Sequence, residues 1–568
     1  MMNIRVIWRR TPFDWFLVVF IITAVIGALV SYDSTRAIIK LGNIVVAVVV
    51  YYVLAGQRRR DMWAVSGVLG ALAGVIALCF LLTHNWQMWP TDLDLLTRVG
   101  LLVMRIQPPL PLPTMHPNVA GGLIAVLLPF QIAFGVYIYR RKKREFYGIT
   151  AVLFAVTMLG FLLTSSRMAW LSVAAASGLC FLWLIVEKSR LGIRLPRWVI
   201  YLLFLGVAFI IGVGLIVLVS GHLPGANSSA SRLELFQHTL DLIADFPFTG
   251  GGLAAFPGLY SQYIAVTPFF QFNYSHNMWL DVAFEQGIPG LLALIWIVVG
   301  SGLLLWRAVM QVHKYPTSVD KEHLHAFWRD LNLFRWATLI GLLSMVGHSL
   351  VDDALYGNLG TPLLFVLPGM AIAVSQKREV SWLLAVTDWK FYIAWIAVVI
   401  TIMVIPRMLT GHSIAADWVT NRSALAMAQI ELKEWPTGLW DDGHNAAELI
   451  PASLLFQHAV AIDAENRTAQ HRLGLIAMVQ RDFETAVTHL ETAYELDPHH
   501  RGIVKTLGYS YVWQGDLEKA AIFLDNIPES QQEMEAYIHW WRVQQQPELA
   551  TRAEQMANIL QENGSSSP

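Results

Sequence analysis

Up to about residue 405 the chain alternates long apolar stretches with short polar links. A helix needs about 20 mostly apolar residues to cross a hydrocarbon core roughly 30 Å thick. Windows of that kind predict spans near 13–30, 37–55, 62–83, 117–139, 147–164, 168–186, 198–219, 278–306, 333–350, 359–375 and 384–405, eleven in all. Beyond that point charges alternate with alanine and leucine, which predicts further helices outside the membrane. The fold class expected is all-α: a polytopic membrane unit of about 11–12 transmembrane helices, then a helical tail. The divisions are 1–405, a connection at 406–450, and 451–568.

The tail carries an internal period. Asp463-Ala-Glu-Asn466 is matched by Asp497-Pro-His-His500, Leu473-Gly474 by Leu507-Gly508, Asp482 by Asp516 and Ala486 by Ala520, each offset by 34 residues. That is the tetratricopeptide period, in which small residues let paired helices approach and each unit buries its face against a neighbour. Ala452, Phe456 and Ala459 resemble the second helix of a degenerate preceding unit, and 530–561 a capping pair. Such arrays bind peptides or partner proteins, but the fold does not name one.

Composition narrows the class. The chain is 55% hydrophobic and 14% charged, against about 25% charged in soluble domains. One large soluble enzyme and a disordered chain are both excluded. A net charge of -1 argues against a nucleic-acid partner. Cys79 and Cys180 both fall inside apolar spans, so no disulfide framework is expected. Arg9-Arg10 precede the first span, which lacks a small-residue cleavage site and reads as retained. Alternate links, with the N-terminal tail, hold 21 Lys and Arg; the other set holds 5. Basic loops stay cytoplasmic, so the N-terminus is expected inside, and an odd span count puts the repeats outside.

The less basic loops hold the candidate chemistry. Loop 84–116 is proline-rich, and Leu93 to Ile106 is apolar enough to lie in the interface. Loop 220–277 is the longest; within it Ser231 to Ala244 predicts an amphipathic helix with Leu233, Phe236, Leu240 and Ile243 on one face, ended by Asp245-Phe-Pro-Phe-Thr-Gly-Gly-Gly252. Arg167 opens a span, Arg232 lies on the loop helix, and His276 stands just before a span containing Glu285-Gln-Gly287. Charged groups at membrane depth are expensive and functional by default. Two guanidinium groups suit an anionic diphosphate, and an imidazole can take a proton near neutral pH. Each has a plainer reading: Arg167 as a snorkelling anchor, Arg232 paired with Glu234 or Asp241, His276 as an interfacial residue. His116, Asn118, His348 and Asp352 also sit at outer span ends, where they line the same cavity or merely bond nearby loops. No metal-ligand spacing and no nucleotide-binding loop occurs, so no cofactor is expected.

Tyr274-Ser-His-Asn-Met-Trp-Leu-Asp-Val-Ala-Phe-Glu-Gln-Gly-Ile-Pro-Gly-Leu-Leu292 resembles the His-Asn…Glu-x-Gly…Gly-Leu signature of the O-antigen ligase and polymerase superfamily of bacterial membrane glycosyltransferases. Ser165-Ser-Arg-Met-Ala-Trp170 and His116-Pro-Asn118 resemble its span starts, and the order Arg167, Arg232, His276 its two-arginine, one-histidine arrangement. The resemblance spans roughly 10–405 and departs in count, eleven spans against the twelve frequent in family ligases. It implies transfer of a glycan from undecaprenyl diphosphate to a lipid, glycan or protein acceptor at the outer face of the bacterial plasma membrane. The family works without nucleotide sugars, and its ligases without a metal. His276 would activate the acceptor hydroxyl, Arg167 and Arg232 would hold the diphosphate, and His116, Asn118, His348 and Asp352 would contact substrate. The rival readings are a lipid-linked saccharide flippase, an assembly scaffold and, within the superfamily, a protein O-oligosaccharyltransferase.

Overall fold

The computed structural model describes residues 10–91, 93–109, 114–189, 227–266, 272–310, 321–357, 359–433, 435–436 and 443–565. Among them every regular element is helical. Ten of the eleven predicted spans coincide with helices: Asp14–Val30, Ser34–Ala55, Met62–Thr83, Pro117–Arg140, Tyr147–Leu163, Arg167–Ser189, Met278–Met310, Lys321–Ser349, the pair Thr361–Leu363 and Val366–Val374, and the pair Lys377–Val386 and Trp389–Thr410. The eleventh, 198–219, lies outside the described residues.

By length and apolar character five described helices can cross a membrane, or six if Lys377–Val386 and Trp389–Ile405, bent by 56°, form one broken span. That is fewer than the hydropathy windows suggest. Some of the others are short or broken, Asp14–Val30 having 17 residues and Val366–Val374 9, and 198–219 lies outside the described residues. The membrane character is nevertheless plain. Ile38, Ile39 and Val49, Ile149 and Val152, and Ile393 and Ile400 are exposed on three different helices, an apolar surface that lipid satisfies. Inside, small residues bring backbones together as membrane packing requires. A Cβ on Gly70 would fall 2.7 Å from Gln131 Cα, and one on Gly160 2.7 Å from Ala77 Cβ.

The two ends of the bundle differ in chemistry. At one end Arg141 donates to Asp330 at 2.8 Å, Arg59 to the Ser375 carbonyl at 2.9 Å, and the fully buried Arg335 to the carbonyls of Val374 and Ala308 at 3.0 and 2.8 Å. The same helices bring His116 and His348 to the other end. Pro117–Arg140 has 24 residues, so at about 1.5 Å per residue the two ends lie roughly 36 Å apart.

Past the bundle, helices pair in sequence: Ile414–Glu431 with Ile450–Ile462, Arg467–Val479 with Phe483–Leu496, Arg501–Gln514 with Leu517–Leu524, and Ser530–Val543 with Pro547–Ser565. The period of 34 is visible in the caps. Asn466 and His500 each accept from an N–H three residues on, as do Asp482 and Asp516. It is visible in the contacts too, where Gly474 meets Leu490 and Gly508 meets Leu524. The first pair contributes Ala452, Phe456 and Ala459 to a core that also contains Leu235, Phe256 and Tyr263 of the long loop.

That loop forms the helix Asn227–Asp245 and then Phe256–Tyr260, which continues as a π-turn over Ser261–Ala265. The buried face of the first helix is Leu235, His238, Thr239, Leu242 and Ile243, while Leu233 and Leu240 are exposed. The apolar period alone points to the wrong stripe, because two polar residues are buried. His238 Nδ1 lies 3.0 Å from the Tyr260 hydroxyl, and Thr239 donates to the Leu235 carbonyl at 2.7 Å.

Candidate active site at one end of the helix bundle

The segment before the helix Met278–Met310 is a bonded turn. Asn277 Oδ1 accepts from the N–H groups of Trp279 and Leu280 at 3.0 and 3.2 Å, capping the helix. Its Nδ2 donates to the Leu350 carbonyl at 3.0 Å, tying the turn to the loop after Lys321–Ser349. The Ser275 N–H donates to Asp281 Oδ1 at 2.8 Å. Between these anchors His276 is held at φ 58°, a left-handed conformation costing an L-residue about 1–2 kcal/mol. Strain of this kind persists only where surrounding bonds impose it.

The turn aims His276 at Asp352: Nδ1 lies 3.8 Å from Oδ2, close enough for charge pairing but long for a hydrogen bond. Asp352 is buried, and neither carboxylate oxygen has a hydrogen-bond partner among the described residues. Burial alone would raise its carboxyl, but His276, His348 and His116 beside it bring it below the ordinary range. Its neighbour Asp353 goes the other way: burial, reinforced by the charges of Asp281 and Asp352, pushes that carboxyl well up. The two adjacent carboxyls are thus pushed in opposite directions, Asp352 favouring the ionised form and Asp353 the protonated one.

The remaining predicted residues gather at the same end. His348 is buried against Gly122, where a Cβ would fall 2.3 Å from its Nε2, so the absent side chain makes room for the ring. His116 caps Pro117–Arg140, its Nδ1 accepting from the Asn118 N–H at 3.3 Å. Burial lowers the His116 pKa; Asp352 opposes this, and His276 and Arg232 add to it. Arg232 is half-buried, and its charge acts on His116, Tyr274 and His348. Arg167 begins its helix directly after Ser166, whose side chain packs against Gly121. It thus enters the bundle at the level of His116. Asn118 occupies the first turn of the His116-capped helix. Among the described residues no group of three His, Cys, Asp or Glu is arranged to hold a metal.

Sequence reasoning picked out Glu285-Gln-Gly287 but passed over its partners Lys40, Thr23 and Tyr356 in the layer beneath. Lys40 pairs with Glu285 at 2.7 Å, both nearly fully buried, with Nζ 4.0 Å from the Tyr356 ring centroid. Gln286 accepts from Thr23 and donates to the Tyr356 hydroxyl, both at 2.8 Å. Then the helix breaks at Gly287 (φ 71°), where a Cβ would fall 2.6 Å from the Phe248 carbonyl oxygen. The Gly250 N–H belongs to the same junction, and Gly251 donates to the Phe284 carbonyl at 2.6 Å. Thus Glu285-Gln-Gly287 is the seat on which the glycines of the long loop rest. A lysine inside the otherwise apolar 37–55 stretch was the available signal.

One end of the apolar helix bundle thus holds a buried imidazole–carboxylate cluster within the field of the loop arginine. Residues 151–295 match the family described as O-antigen ligase, and residues 477–546 match the tetratricopeptide repeat. Over those residues the chain is similar to these two families, and its apolar helices make it a multi-pass membrane protein; the ligase match supports membrane glycan transfer as its coarse class. Arg167, Arg232, His276 and the Glu285-Gln-Gly287 seat fall within the first match. Compared with curated proteins and with solved structures, the chain has no match.

Proposed function

We propose that this protein transfers a glycan from an undecaprenyl-diphosphate donor to an acceptor hydroxyl at the outer face of the bacterial plasma membrane. The observation that carries the reading is the convergence of His276, Asp352, His116, His348 and the field of Arg232 at one end of the bundle. The basic opposite end, with Arg59, Arg141 and Arg335, suits the cytoplasmic side.

In the proposed step His276 accepts the proton of the acceptor hydroxyl through Nε2, since Nδ1 faces Asp352. Asp352 stabilises the imidazolium as the buried carboxylate does in serine hydrolases. The acceptor oxygen forms a bond to the anomeric carbon as the bond from that carbon to the diphosphate oxygen breaks. Undecaprenyl diphosphate leaves with the electron pair, its charge matched by Arg232 and Arg167.

The test is transfer by the purified protein from a lipid-diphosphate donor to lipid, oligosaccharide and protein acceptors, read by mass. His276→Ala should lower turnover by about 10²–10⁴-fold. Full turnover by a normally inserted variant would remove His276 as base. Arg232→Ala and Arg167→Ala should weaken donor affinity instead, and unchanged affinity would take them out of the site.

A further inference from the structure

A tetratricopeptide array presents the first helix of each pair along its inner face, the surface such repeats use for ligands. Here that face is occupied by the chain's own long loop. Asp245, fully buried, accepts from Arg467 and Arg472 Nη2 and from the Thr468 hydroxyl, each at 2.7 Å. The Arg472 guanidinium lies 3.3 Å from the Tyr263 ring centroid. The Tyr263 hydroxyl donates to Glu431 at 2.7 Å. Lys505 Nζ donates to the Ala265 carbonyl at 2.5 Å, and a Cβ on Gly502 would fall 1.9 Å from the Tyr263 carbonyl oxygen. Gln262 and Val266 close a cleft whose other walls include Leu475, Thr506, Trp513 and Trp541, drawn from three successive first helices.

These contacts follow the pattern of peptide capture. The segment runs along three repeats, its main-chain carbonyls meet a lysine and a glycine-backed surface, and a side-chain carboxylate is clamped by two arginines. The clamp also reaches the candidate site. Arg501 donates to Glu234 at 3.1 Å, two residues from Arg232 on the same helix. Asp245 ends that helix.

We infer that the repeat region is an internal receptor for residues 245–266 and positions Arg232 over the site, its inner face being committed to this loop rather than to an external peptide. The part concerning Arg232 rests on the proposed transferase reading; the grip on the loop does not. Asp245, Lys505 and Arg501 are positioning residues in this scheme.

The experiment uses the full-length protein in lipid nanodiscs, comparing wild type with Asp245→Asn and Lys505→Met. Amide hydrogen exchange is read over 227–266, with helices Leu517–Leu524 and Pro547–Ser565 as the folding control, alongside donor KM and kcat. The expected result is at least tenfold faster exchange over 227–266, control helices within twofold, and donor KM raised several-fold with kcat little changed. Glu234→Ala, which leaves the repeat core intact, should raise donor KM in the same direction by less. Unchanged exchange over 227–266 in both variants with intact controls would overturn the clamp. Faster exchange with unchanged donor KM would overturn the positioning of Arg232. Arg232→Ala in the same assay tests the underlying site reading separately, since its failure would leave the exchange result standing.

Discussion

The pair Lys40–Glu285 offers the sharpest test of how the site is supported. Both side chains are under a tenth exposed, Nζ lies 2.7 and 2.8 Å from the two carboxylate oxygens, and Glu285 Oε1 also accepts from the Ala254 N–H at 2.9 Å. Two charges meet a loop and two spans at one point. Lys40→Met keeps the length of the side chain and strands a buried carboxylate, which costs about 3–5 kcal/mol. Lys40→Met combined with Glu285→Gln removes both charges and keeps an acceptor for Ala254. Replacing a whole buried pair is near neutral, so the double variant should lie within about 1 kcal/mol of wild type and roughly 2–4 kcal/mol above Lys40→Met in stability. Unfolding in mixed micelles titrated with dodecyl sulfate, followed by tryptophan fluorescence, gives both differences from wild type. A Lys40→Met cost below about 1 kcal/mol, or a double variant no better than Lys40→Met, would refute the assignment of a desolvated pair.

Three further outcomes follow from the geometry. Gly287→Ala combines a left-handed φ of 71° with a Cβ 2.6 Å from a backbone oxygen; it should cost at least about 1–2 kcal/mol and loosen loop 246–254, read by hydrogen exchange. Gly122→Ala should displace His348 and lower transfer while the protein still inserts, and wild-type turnover would show that His348 need not sit there. The repeat–loop contact should weaken with rising pH. Burial, against the opposing pull of Arg472, raises the Glu431 carboxyl to about 7, and burial likewise raises Asp241 to about 7 against Arg467. A raised folded pKa gives stability that is complete below the unfolded value near 4 and is lost as pH climbs through about 7. Exchange over 256–265, corrected for its intrinsic rate, should therefore rise from about pH 4 to about pH 7 and level off above it, and a flat profile across that range would refute it.

What could be read from the sequence depended on whether a residue's role is local. Span positions follow from apolar runs, and ten fell on helices. The repeats were legible because caps and small residues recur every 34 positions, Asn466 with His500 and Gly474 with Gly508. The buried face of Asn227–Asp245 was misassigned because His238 and Thr239 satisfy their polar atoms internally and so enter a core. The convergence of His276 and Asp352 joins residues 76 apart in sequence through the Asn277–Leu350 bond, and no periodicity announces such a bond.

The least legible feature was the occupant of the repeats. A 34-residue period predicts a receptor face and is silent on whether its ligand is in the same chain. The decisive residues are Asp245, Tyr263 and Ala265, separated by more than two hundred positions from Arg472 and Lys505. Each taken singly reads as an ordinary loop residue. A buried carboxylate facing two arginines must be matched closely on both sides, because losing either partner leaves an uncompensated charge. That requirement binds the loop and the repeats together. It gives a physical reason for the repeat tail to share a chain with the membrane unit: a receptor fused to its ligand holds it at a high effective concentration, which on the proposed reading would keep Arg232 near the donor diphosphate.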